Sequence, residues 1–207
     1  MKLFAHPGAS SMSVHILLRE TGLPFELEMI DVKAKVRPDG TGYREVAGRG
    51  LVPLLQLADG ASITENTVIA QFICDAAGRA DLMPRQGSIA RYQVMEWQSF
   101  VASELDKAFT PLFWGIGEDE EVAVRANLVL RLSEVDRALG QLPFLTGDRF
   151  TAADAYMFVI ASWALFFAID LSAMPNLRAY LARIGQRRSV TDALAAEGPG
   201  LVPIIAA

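Results

Sequence analysis

Residues Leu3–Gly22, LFAHPGASSMSVHILLRETG, decide how this chain begins to fold. The apolar stretch Lys2–Ala5 is short enough for one strand and is stopped by Pro7-Gly8. A helical pattern follows: Val14, Ile16, Leu17 and Leu18 lie between Ser13 and Thr21. Gly22 stands at the stop position, where a left-handed cap carries no steric cost for glycine. A strand, a tight turn and a helix in quick succession open an α/β unit. They also set two adjacent hydroxyls, Ser10 and Ser11, at the positive end of a helix.

The alternation continues over the first eighty or so residues. Phe25–Ile30 alternates apolar and polar side chains, the pattern of a strand with one covered face. Leu54–Leu57 and Ser62-Ile63 flank Ala58-Asp59-Gly60-Ala61, and Asp-Gly is a strong hairpin signal. Thr64 stands ready to cap a helix whose Val68, Ile69, Phe72, Ile73 and Ala76 follow the 3.6-residue period. Arg79–Gly87 is polar and broken by Pro84 and Gly87, which reads as a linker.

Beyond the linker the signals are helical, over 88–109, 119–139, 151–169, 176–187 and 189–195. The second of these gathers Glu118, Asp119, Glu120 and Glu121 at its start and Gly140 after its end, as the helix dipole and C-cap prefer. Thr151-Ala152-Ala153-Asp154 has the form of a capping box with Asp in place of Glu, and Phe150 before it is a staple residue. The expected architecture is an α/β domain over residues 1–80 and an all-helical domain over 87–207.

Composition narrows the function. Of 207 residues, 52% are hydrophobic and 21% charged, so the chain can bury a core. A net charge of −5 argues against a nucleic-acid partner, which needs clustered Lys and Arg. The single cysteine, Cys74, rules out an internal disulfide and a cysteine-based zinc site, and a reducing cytoplasm is its natural setting. In a helical pattern it reads as a small buried hydrophobe. The start shows no basic and apolar leader. The longest apolar run, Ala155–Ile169, falls short of the roughly 20 residues that cross a bilayer. It reads instead as a helix buried on all sides. No metal and no membrane are therefore expected.

Several strings, in order, resemble the glutathione S-transferase superfamily and most closely its bacterial beta class. They are Pro7-Gly8-Ala9, Gly50-Leu51-Val52-Pro53-Leu54-Leu55-Gln56-Leu57-Ala58-Asp59-Gly60, Thr64-Glu65-Asn66 with Ile69–Ile73, and Arg91-Tyr92. Glu96-Trp97, Ser103-Glu104-Leu105, Pro111-Leu112-Phe113 and Leu145–Tyr156 complete the series. The resemblance spans nearly the whole chain. It implies a thioredoxin-like N-terminal domain, an all-α C-terminal domain, a homodimer, and glutathione bound as substrate at the junction.

Glutathione sets four requirements. Its peptide backbone needs free amide partners. Val52 answers this, because the following Pro53 can hold a cis bond that leaves Val52 free to pair as in strand addition. Its γ-glutamyl end needs a cradle, for which the resemblance implies Glu65 and Asn66 in the first turn of a helix, where unpaired N–H groups attract a carboxylate. Its glycyl carboxylate needs a cation, and Lys35 falls where the family places one. Ser99, Ser103 and Lys107 match further family contacts, some made across the dimer; spaced four apart, they share a helix face.

The fourth requirement is a group that holds the thiolate, and here the chain departs from the class. It carries Ser10 where beta-class proteins have cysteine and Asp106 where they have histidine. Serine cannot form a mixed disulfide, which excludes redox exchange at residue 10. A hydroxyl can still donate to a thiolate. Lowering a thiol pKa of about 8.5 by two units takes roughly 2.7 kcal/mol. One hydrogen bond to a charged group supplies about 1.5–3 kcal/mol, and the helix end roughly 0.3–1 kcal/mol more. Ser10 sits at the cysteine's position; Ser11 is the competing hydroxyl, or one of the two is an N-cap.

Asp106 would repel a nearby thiolate if ionised, or pair with Lys107 or an arginine, or accept the thiol proton. Phe109, Phe113 and Trp114 are the candidates for an apolar second-substrate wall, with Trp163, Phe166 and Phe167 available behind them. His6 and His15 show no partner and read as packing or surface residues. The expected activity is addition of the glutathione thiolate to small hydrophobic electrophiles. A weakly catalytic ligand carrier, or a glutathione-dependent ether- or halide-cleaving enzyme, are the alternatives.

Overall fold

The computed structural model describes residues 1–198; residues 199–207 of the expected helical domain lie outside that range. The N-terminal domain is a sheet of four strands, β1 (Lys2–Ala5), β2 (Glu26–Met29), β3 (Leu54–Gln56) and β4 (Ser62–Thr64), in the order β2-β1-β3-β4. β2 runs parallel to β1, with Leu3 opposite Leu27. β3 runs antiparallel on the other side, with Leu3 opposite Leu55. The parallel pair needs a crossover, and α1 (Ser11–Thr21) supplies it. Gly22 ends α1 at φ 71° and returns its N–H to the Leu18 carbonyl, as the sequence predicts.

The hairpin turn also forms where expected. Ala61 N–H donates to Asp59 Oδ1, and Gly60 takes a φ of 89°. The predicted cap of α2 (Asn66–Ala76) needs correction: Thr64 is the last residue of β4, and Glu65 occupies the cap position with φ 69°. Met12, Ile16 and Leu17 of α1 and Ile69 and Ile73 of α2 bury fully against the sheet and the helical domain. Each such side chain contributes about 1.5–3 kcal/mol relative to exposure. A second small core of Phe4, Ile30, Tyr43, Ala47 and Leu54 fills the other face.

The C-terminal domain is all helical. The first predicted helix ends later than expected: α3 (Ile89–Phe100) passes through a π-helical turn, Val101–Asp106, into α4 (Lys107–Trp114), which continues past Pro111. Then come α5 (Glu118–Leu139), α6 (Ala152–Phe166), α7 (Pro175–Gly185) and α8 (Arg188–Glu197). From Ala152 to Ala164 every residue of α6 is buried, and it is the central post of the domain. Its last turn departs from the expected all-round burial, because Leu165 and Phe166 are exposed.

Asp154 fixes the start of α6. Its carboxylate accepts from Thr151 N–H and Oγ1, from Leu145 N–H and from Tyr180 Oη. The two domains are tied by Arg91, whose guanidinium grips the Asp75 carboxylate and the Pro84 carbonyl, and by Trp163 Nε1, which donates to the Gly8 carbonyl at 2.9 Å.

Candidate functional site

The turn between β1 and α1 is shaped by its own backbone and by both domains. Gly8 adopts φ 68°. Its carbonyl accepts from Trp163, and its N–H donates to Glu197 Oε2 at 2.9 Å. This turn presents Ser10 and Ser11 in different circumstances. Ser11 is fully buried, and its Oγ accepts from His6 N–H at 3.1 Å and lies against the His6 carbonyl. That hydroxyl is spent on the turn and does not reach the cleft. Ser10 is half-buried, and its Oγ makes no hydrogen bond among the described residues.

Ser10 is held by its main chain. Its carbonyl accepts from Asn66 Nδ2 at 2.7 Å and from Ser13 Oγ at 2.8 Å. Asn66 also donates to Ser13 Oγ at 2.8 Å. The Asn66 side chain therefore laces α2 to α1 instead of facing a ligand carboxylate. Its backbone N–H and that of Thr67 have no intrahelical acceptor, being the first two of α2. Glu65, just before them, holds a left-handed φ of 69° that L side chains rarely adopt. Such strain persists where surrounding structure imposes it, often at binding sites. The Glu65 carboxylate accepts from Arg49 Nη1 at 2.8 Å, in a pair exposed by 73% and 64%. A surface pair of that kind is weak and readily exchanged.

The Val52–Pro53 bond is cis, and the Val52 main chain makes no hydrogen bond among the described residues. Lys35, also at positive φ, donates from Nζ to the Gly50 carbonyl at 2.7 Å, which holds the ammonium near the Val52 segment. On the helical side Ser99, Ser103 and Lys107 are exposed, and Ser103 Oγ donates back to the Ser99 carbonyl. Asp106 closes the π-helical turn and accepts from Tyr156 Oη at 2.6 Å, so it pairs with neither lysine nor arginine. Desolvation pushes its carboxyl pKa upward, while the Tyr156 hydroxyl and the Lys107 charge pull it down.

The aromatic residues form one wall. Phe113 meets Trp163 at 5.0 Å and Phe167 at 4.8 Å, each edge to face. Phe109 is fully buried behind them, also against Trp163 and Phe167, so it backs the wall and does not line it. Trp114 and Phe166 are exposed at its rim. Because Trp163 is bonded to Gly8, this wall ends at the Ser10 turn.

The histidines need correction, since both have partners. His6 Nδ1 lies 2.9 Å from the Ile30 carbonyl, and His15 is fully buried against Glu197. Burial raises the Cys74 thiol to about 12, so it is an inert packing residue. Tyr156, Arg49 and Glu197 were not read as site residues. Their partners lie 16 to 189 residues away, a relation that no local pattern encodes. Among the described residues no group of three metal-ligating side chains occurs, and no helix is long and apolar enough to cross a membrane.

Known proteins share this fold and much of this sequence. Residues 9–76 match the family described as "Glutathione S-transferase, N-terminal domain", and residues 120–183 match "Glutathione S-transferase, C-terminal domain". The chain is 40% identical to glutathione S-transferase GstA of Escherichia coli O157:H7, over 96% of this chain and 99% of that protein. A beta-class glutathione S-transferase of Sphingomonas chungbukensis superposes with a TM-score of 0.92 at 41% identity, covering 96% of this chain and 99% of that one. A sphingomonad glutathione S-transferase solved in complex with glutathione gives a TM-score of 0.92 at 37% identity, covering 97% and 100%.

Proposed function

The chain belongs to the glutathione S-transferase family, and we propose that it binds glutathione at the domain junction and adds its thiolate to small hydrophobic electrophiles, with Ser10 as the hydroxyl that holds the sulfur. The observation that carries this reading is the unengaged Ser10 Oγ beside two serines whose hydroxyls are already used. The free main chain of Val52 suits the peptide backbone. The open N–H groups of Asn66 and Thr67 suit the γ-glutamyl carboxylate, and Glu65 suits its ammonium, displacing the exposed Arg49. Lys35 answers the glycyl carboxylate. In this reading residues 1–80 carry glutathione and the helical part carries the electrophile, against Phe113 and Trp114.

The unit is a beta-class-like homodimer in the cytoplasm. Exposed Leu51, Val68, Ile89 and Tyr92 are apolar side chains that such pairing would cover. Ser99, Ser103 and Lys107 then complete the site, partly from the neighbouring subunit. Conjugation of an activated aromatic chloride, followed by absorbance, tests the reading. Turnover in the wild type and its loss in Ser10→Ala at retained glutathione affinity are expected. Tight binding without turnover would instead identify a carrier.

A further inference from the structure

Tyr156 Oη and Asp106 Oδ2, 2.6 Å apart, join the central post α6 to the end of the π-helical turn. The same fifty-residue offset recurs further along, where Phe113 meets Trp163. Asp106 and Phe113, like Tyr156 and Trp163, are seven residues apart. The two contacts are therefore successive rungs between helices that run side by side. One rung is bonded to Gly8 through Trp163 Nε1. The other lies within electrostatic reach of Glu65, because that carboxylate helps to raise the Tyr156 hydroxyl. Asp106 thus stands on the wall that ends at the Ser10 turn, one rung from the Trp163 that is bonded to that turn.

Only one Asp106 oxygen is engaged. Oδ1 has no partner among the described residues, and it is not one of the sealed unpaired atoms, which belong to Gln98 and Arg131. We propose that Tyr156 is a positioning residue that locks Asp106 through Oδ2, leaving Oδ1 to accept the proton of the glutathione thiol. The inference rests on the glutathione reading given under Proposed function.

The step balances without a further reactant. The S–H bond breaks, its electron pair stays on sulfur, and an O–H bond forms at Oδ1. The thiolate attacks the electrophile, the leaving group departs with its bonding pair, and Asp106 returns the proton to water. Desolvation brings the carboxyl's basicity closer to that of a thiol than an exposed aspartate's would be. The ionisable groups acting on the pair are Lys107 on its own helix, Tyr156 on α6 and Glu65 at the start of α2. Once protonated, Asp106 no longer repels the sulfur it has ionised. This resolves the conflict between a carboxylate and a thiolate in one cleft.

The test counts protons. Glutathione binding to the wild-type protein is followed by ultraviolet absorbance of the thiolate and by calorimetry in two buffers of different ionisation enthalpy. Fewer protons should reach the buffer than thiolates form, because Asp106 keeps its share. In Asp106→Asn, thiolate formation should fall at least tenfold, and each remaining thiolate should release a whole proton. Tyr156→Phe removes a bond that favours the charged carboxylate, so the acid limb of its kcat/KM profile should move to higher pH. A merely structural tyrosine would lower Tm and leave that limb in place. Equal proton release by wild type and Asp106→Asn overturns the proposal alone. Failure of the wild type to bind glutathione overturns it together with the reading on which it rests.

Discussion

Asn66 Nδ2 donates to the Ser10 carbonyl at 2.7 Å, so the residue at the head of α2 fixes the residue at the head of α1. Replacing Asn66 with Ala leaves that carbonyl and the Ser13 hydroxyl short of a partner in a buried place, at a cost of roughly 1–3 kcal/mol. The expected outcome is a lower Tm and a glutathione Kd raised by about tenfold, since the misplaced turn carries the binding groups with it. Thermal melting and calorimetric titration measure both. An unchanged Kd would separate the turn from glutathione recognition.

The neighbouring serines should behave in opposite ways. Ser10→Ala removes a free hydroxyl, so folding should be untouched while stabilisation of the thiolate falls by about 1.5–3 kcal/mol. That is a loss of roughly 10- to 150-fold in kcat, with glutathione affinity changed by about twofold at most. Ser11→Ala empties a fully buried bonding position and leaves the His6 main chain short of a partner. It should cost roughly 1–2 kcal/mol of stability and leave the pH dependence of the thiolate where it was. Reversal of the two phenotypes would transfer the sulfur-binding role to Ser11.

This contrast also marks where sequence reading stops. The β1–turn–α1 opening, the Asp59-Gly60 hairpin, the Gly22 cap and the Thr151–Asp154 box rest on signals within a few residues of one another, and each forms as read. Ser10 and Ser11 carry the same local signal. What distinguishes them is the direction of each hydroxyl relative to the His6 backbone. Thr64 fails as a cap because tertiary strain places Glu65 at φ 69° in its stead, a conformation that propensity argues against. The extension of α4 past Pro111 has a similar origin. The π-helical turn and the packing of Phe109 and Phe113 on α6 outweigh the helix-breaking tendency of one proline. Asp106 was legible as a departure from a pattern, but its partner Tyr156 was not.

Acid should loosen the domain junction before the cores. The Arg91 guanidinium beside Asp75 holds that carboxyl below its ordinary value of 3.8. A carboxyl depressed in the folded state contributes stability above the unfolded pKa and loses it as pH falls through the folded one. The contribution is therefore intact at neutrality and disappears below about pH 4. Asp75 is half-exposed, so the effect is modest. In Arg91→Met the slope of Tm against pH below that point should flatten, while Tm at neutral pH drops because the Pro84 carbonyl and Gln71 also lose a donor. A slope identical to wild type would assign the acid sensitivity elsewhere, first to Glu28 beside Arg37.

Glu197 tests whether the end of the described chain governs the start of the site. Arg19 Nε donates to His15 Nε2, so the His15 proton lies on Nδ1 and points at Glu197 Oε1, 2.8 Å away. Gly8 N–H donates to the other carboxylate oxygen. Both oxygens of one buried carboxylate thus face fixed donors, one on α1 and one in the turn that carries Ser10. Glu197→Gln keeps the shape but turns an NH2 group toward one of those donors, for a loss of roughly 1.5–3 kcal/mol. Glu197→Ala removes both acceptors and leaves two buried donors unpaired, at a cost of roughly 1–3 kcal/mol for each. Because Gly8 is one of the donors, the milder variant should also raise the KM for glutathione at temperatures well below its Tm. If Glu197→Gln lowers Tm and leaves that KM unchanged, α8 acts only as a clasp and the Ser10 turn keeps its shape without it.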